Sequence, residues 1–229
     1  MSELWKAFLR AVELIVNLDP EVTGITWRSL HISATSTILA SLICVPLGGM
    51  IHFRSFSGKR GLISIIQTFY SLPTVCVGLL VFVLFSRVGP LGRFGILFTP
   101  TVMVIGQMIL ITPILLGLTI SALSGVDRTI KDSTLSLGAT ELQAIWAIIK
   151  EARFAVWAAV VMGFGRAVSE VGCAMMVGGN IRGFTRMLTT AISLETQKGE
   201  LELALALGII LISLALVINV IVNTIQQRY

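Results

Sequence analysis

Apolar residues gather in five stretches, at 29–51, 62–86, 96–123, 154–177 and 203–222. Each reaches the ~20 residues that a helix needs to cross a bilayer. The pattern predicts an all-α integral membrane protein with five spans, which puts its two ends on opposite sides. Ahead of the first span, Trp5, Phe8, Leu9, Val12, Ile15 and Val16 recur at helical spacing, with Lys6, Arg10 and Glu13 between them. That predicts an amphipathic helix within residues 1–18, too charged to enter hydrocarbon and laid along the membrane surface. Asp19 reads as an N-cap and Pro20 as a first helical residue, and residues 19–229 as one transmembrane domain.

The third and fourth spans are joined by a polar interval, residues 124–153, reading SGVDRTIKDSTLSLGATELQAIWAIIKEAR. It is too long for a turn and too short for a domain. An ordered helical excursion of this kind, outside the membrane, predicts a docking surface for a partner.

Composition agrees with the span pattern. Hydrophobic residues make up 55% of the chain and charged residues 13%, and the mean hydropathy is +0.92, too little polar surface for a soluble globule. The formal charge of +5 comes from scattered residues that form no run or stripe, so nucleic-acid binding is not expected. Cys44, Cys76 and Cys173 sit in apolar stretches without disulfide or metal-ligand spacing. No signal peptide is expected, because Glu3, Lys6, Arg10 and Glu13 interrupt any apolar core. Lys and Arg divide eight against eight between the two sides, with Arg166 left inside a span, so charge bias leaves the orientation open.

Arg166 and Glu170 stand four apart within the fourth predicted span, with Ser169 between them. Unpaired, each charge costs at least ~2.5–3.5 kcal/mol at that depth, so the two are expected to form an intramembrane ion pair. Its first role is to fix packing; a functional role remains the alternative. Ser71, Pro73 and Thr74 break the second span, and Gln107 and Thr112 make the third unusually polar. With Ser169 these are candidates for a translocation route or gate, since hydroxyls and freed backbone amides bind an oxyanion without trapping it. Helix–helix hydrogen bonding is the competing explanation. No catalytic constellation, Walker motif or metal-ligand spacing is present, so no catalytic residue is assigned and any energy for transport must come from a partner or an ion gradient. Ser169 with Glu170 is the one local arrangement that an intramembrane hydrolase would need.

At residues 132–138 the sequence DSTLSLG resembles a variant of the cytoplasmic coupling motif of binding-protein-dependent ABC importer permeases, a Glu-Ala-Ala triplet followed three residues later by Gly. GFGRAVSEVG is similar to the corresponding segment of molybdate, tungstate and sulfate permeases, and MMVGGNIRGFTRMLTTAISLETQKGE resembles the tungstate branch. The resemblance runs over residues 19–222. It departs from the general motif at Asp132, at Ser133 and Thr134, and at Lys150-Glu151, where Leu-Pro is usual; KEAR is itself similar to the tungstate branch.

The resemblance implies a type I ABC importer transmembrane domain that works as a homodimer in a bacterial or archaeal plasma membrane. Its partners would be two copies of an ABC ATPase and an extracytoplasmic oxyanion-binding protein. The chain would bind no cofactor, with ATP and Mg held by the ATPase. The amino terminus would lie outside and the carboxyl terminus in the cytoplasm. ATPase coupling would fall to Asp132, Ser133, Thr134, Gly138, Ala139 and Glu141, on two short helices around Gly138. The implied cargo is tungstate, with molybdate or sulfate as the alternative. The chain ends seven residues after Val222, so no appended oxyanion-sensing domain is expected.

Overall fold

A computed structural model describes residues 3–226, and among them all regular structure is helical. The amphipathic segment forms α1 (Glu3–Val16), which ends where Leu18 takes a left-handed conformation at φ 50°. Asp19 then caps α2 (Pro20–Phe53): its Oδ1 accepts from the amides of Glu21 at 2.9 Å and Val22 at 3.2 Å. Two otherwise unpaired donors are thereby satisfied, and Pro20 occupies the position where a missing N–H costs nothing. With 34 residues, α2 is about 51 Å long at 1.5 Å per residue, well beyond the ~30 Å hydrocarbon core.

Among the described residues, three helices are long and apolar enough to span a membrane by themselves: α2, α5 (Pro100–Ser124) and α11 (Leu201–Gln226). The second and fourth predicted spans are instead broken, and the count reaches five if each bent pair is one span. The second consists of α3 (Lys59–Thr68), a 3-10 turn at Phe69–Ser71, and α4 (Thr74–Phe85). Pro73 keeps Leu72 out of the helical region, at ψ 127°.

Two short helices, α6 (Arg128–Ser136) and α7 (Glu141–Glu151), form the polar interval. The fourth span then divides into α8 (Arg153–Val168) and α9 (Gly172–Gly178). The single continuous helix expected over 154–177 is therefore corrected: Arg166 lies on α8, whereas Ser169 and Glu170 lie in the break beyond it. A further helix, α10 (Leu188–Lys198), occupies what the sequence pattern left as a connection.

The chain divides into two compact units, one built from residues through 36, 73–107 and 165–217, the other from 37–72, 108–164 and the stretch from 218 onward. The long helices α2, α5, α8 and α11 contribute residues to both. In the first unit, Val22 and Ile25 of α2 pack with Leu188 and Ala191 of α10 and Leu207 of α11. In the second, the apolar face of α7 (Ala144, Ile145, Ile148, Ile149) closes against Phe53 of α2, Leu123 of α5 and Val156 of α8. The polar interval is thus anchored by one buried helical face rather than hung as a loop.

Candidate functional site

The excursion is built from caps. Asp127 starts α6 by accepting from the Thr129 amide at 2.8 Å and from the Thr129 hydroxyl. These bonds, that of the hydroxyl foremost, hold the Asp127 carboxyl below its usual range. At the far end Gly138 adopts φ 84°, and its amide and that of Ala139 turn back to the carbonyls of Leu135 and Thr134 at 3.0 and 3.2 Å. A left-handed residue here lets the chain reverse directly after α6, and glycine takes it without strain. Thr140 then opens α7 with a capping box, Thr140 N to Gln143 Oε1 at 2.8 Å and Gln143 N to Thr140 Oγ1 at 3.4 Å.

Around this bend Asp132, Ser133, Gly138 and Glu141 are exposed, while Thr134 and Ala139 are half-buried. Leu137, at the apex, is 88% exposed, and Leu142 and Trp146 present further apolar surface on α7 beside its core contacts. Glu141 pairs with Arg54 at 3.3 Å, and Lys59 Nζ donates to the carbonyls of His52 and Arg54 at the end of α2, at 2.6 and 3.1 Å. A cation there satisfies carbonyls that have no partner within the helix.

In the other unit, the site lies at the break between α8 and α9. Arg166 Nη1 donates to Glu170 Oε2 at 2.7 Å. The other carboxylate oxygen accepts from the Cys173 amide at 3.0 Å and so caps α9, while the Glu170 carbonyl accepts from the Thr189 hydroxyl at 2.6 Å. The two members differ in burial: the Glu170 side chain is 2% exposed and that of Arg166 34%.

The first residues of α4 and α9 lie side by side. A Cβ added to Gly172 would sit 2.7 Å from Thr74 Oγ1, and one added to Gly78 would sit 2.9 Å from the Cys173 Cα. Only glycine permits this backbone approach.

Of the proposed route residues, Pro73 is the N-cap of α4 and Thr74 its first residue, half-buried beside Gly172; Ser169 is exposed in the second break, its hydroxyl bonded to the Gly165 carbonyl at 2.9 Å. Gln107 is buried, donating to the Ala167 carbonyl at 3.1 Å and accepting from the Ser36 hydroxyl at 2.8 Å. Ser71 and Thr112 belong to the second unit, where each hydroxyl bonds back to its own chain, at Thr68 and Met108. A cluster not foreseen from the sequence joins Glu21, Arg182, Arg186, Glu195 and Lys198. Arg182 grips Glu21 with two bonds at 2.9 and 2.6 Å. Glu195, 5% exposed, lies between Arg186 at 3.2 Å and Lys198 at 3.1 Å.

Residues 44–229 match the family model described as binding-protein-dependent transport system inner membrane component. The chain belongs to this family. It is 39% identical to the tungstate uptake system permease protein TupB of Peptoclostridium acidaminophilum, over all of both chains. It is also 39% identical to the TupB of Campylobacter jejuni, over 99% of this chain and 95% of that one. Among solved structures, a MetNI methionine ABC transporter in inward-facing conformations matches with TM-score 0.66 and 18% identity, covering 98% of this chain and 99% of the other. A bacterial alginate ABC transporter matches with TM-score 0.66 and 17% identity over 93% and 80%. The fold of this inner-membrane component is that of a type I ABC importer transmembrane domain, and the chain is a multi-pass transport subunit.

Proposed function

We propose that this transport component is the permease subunit of an ATP-driven tungstate importer. The observation that carries the reading is 39% identity, end to end, to a tungstate uptake permease. Two copies of the chain would form the route, two copies of a separate ATPase would bind the α6–α7 bend and supply ATP hydrolysis, and an extracytoplasmic binding protein would deliver the anion. The bend then lies in the cytoplasm with the carboxyl terminus, and the amino terminus lies outside. Closure of the ATPases on nucleotide would push on the bend, and α7, locked into its core by Ile145, Ile148 and Ile149, would pass that movement on as a rigid body. Asp132, Ser133, Thr134, Gly138, Ala139 and Glu141 are the residues proposed for this contact.

A molybdate or sulfate importer is the second reading. It is favoured by 27% identity over 161 residues to a molybdate/tungstate permease of Pyrococcus furiosus and 24% over 217 residues to a sulfate permease of Synechocystis. An intramembrane hydrolase is disfavoured by geometry: the Ser169 hydroxyl is directed to a backbone carbonyl, and both Glu170 oxygens are already engaged. Competitive uptake of tungstate, molybdate and sulfate into proteoliposomes with the cognate binding protein tests the assignment. Tungstate is expected to outcompete both others; equal uptake of all three would sink the tungstate reading.

A further inference from the structure

We propose that Arg166 is the group the permeating oxyanion contacts inside the membrane, and that Glu170 holds the guanidinium between passages. The inference rests on the oxyanion-importer reading above and assigns a specificity-determining residue within it. Arg166 stands near the middle of the segment made by α8 and α9. A guanidinium at that depth is costly against lipid, so its open surface must face water, the route or protein.

The asymmetry of the pair separates anchoring from binding. A third of the Arg166 side chain is open while Glu170 is closed. Glu170 is also the fixed member, because it caps α9 through the Cys173 amide and its carbonyl is held by Thr189. If Arg166 swings away, the carboxylate keeps its amide donor and α9 keeps its cap. An anion approaching the break therefore meets the cation first.

The guanidinium has five N–H donors in a planar fork that fits two oxygens of a tetrahedral oxyanion. One of the five is given to Glu170. Passing the arginine from carboxylate to oxyanion exchanges one charge-assisted bond for another. Because Glu170 competes for the same donors, the anion is bound without being trapped, as a conducting site requires.

The test compares the wild-type complex with Arg166→Gln/Glu170→Gln and with Arg166→Lys, each assembled with its ATPase and binding protein in proteoliposomes. The double variant removes both charges, while the side-chain amide oxygen introduced by Glu170→Gln can still accept from the Cys173 N–H, so assembly at wild-type yield is expected. Its tungstate uptake should fall by about tenfold or more, the loss of one charge-assisted contact. Arg166→Lys keeps the charge without the fork, and its uptake should lie between those of the double variant and the wild type. Wild-type uptake by the double variant would return the pair to packing and overturn the proposal. So would a double variant that fails to assemble while Arg166→Lys assembles and transports normally. A wild-type complex that takes up none of the three oxyanions removes the underlying importer reading instead, a result seen before any substitution is made.

Discussion

Single residues differ most in how far their partners lie along the chain. The Arg166–Glu170 pair was legible because four residues separate its members, and the bond forms although α8 ends between them, since only the last turn unwinds. The cap at Asp19 was equally local. Glu195 was not legible: Arg186 and Glu21 reach the same charge cluster from another loop and from the start of α2, and nothing in the local pattern marks those side chains as buried. The physical stakes are unequal. Replacing Glu195 with Gln leaves Arg186 buried without its nearest anion, an expected loss of about 3 kcal/mol. The same change at Glu13, in the exposed Arg10–Glu13 pair at 2.7 Å, should cost under ~1 kcal/mol. Thermal unfolding of the detergent-solubilised protein checks the contrast, and equal melting temperatures for the two variants would contradict it.

At the scale of elements, all five apolar stretches appear as helix, but two are broken. The first break was legible in Pro73, which cannot continue a helix without disturbing Leu72. The second carries no proline. It follows from the Glu170 carboxylate capping the helix after it, which a periodic apolar pattern conceals. The helix α10 was missed for a related reason: Thr189, Thr190 and Glu195 look solvent-facing in sequence, yet they are buried by hydrogen bonds to Glu170, Met187 and Arg186. The two helices of the excursion and their bend at Gly138 were foreseen, and the φ of 84° explains why glycine stands there. A Cβ at Gly138 meets nothing within 4 Å, so Gly138→Asp costs backbone strain of roughly 1–2 kcal/mol rather than a clash. Membrane insertion should be intact and capture of the ATPase lost, because a charge is added at an apolar apex. Normal co-purification of the ATPase with that variant would remove the bend from the coupling surface.

For the molecule as a whole, five span-length apolar stretches and a mean hydropathy of +0.92 were enough to place the chain in a membrane. The division into two units was not legible, since each is assembled from segments far apart in sequence and the longest helices contribute to both. The glycine contacts at the start of α4 and α9 have a practical consequence for watching the transporter work. Cys173 is fully buried, with its Sγ only 2.6 Å from where a side chain on Gly106 of α5 would begin, while Cys76 on α4 is exposed. The protein therefore carries a native thiol reporter of helix separation. In a Cys44→Ser/Cys76→Ser background, maleimide should leave Cys173 unmodified at rest and label it during ATP turnover if α4, α5 and α9 part. Protection that persists through turnover would mean that these three helices travel as one block and that the opening lies elsewhere.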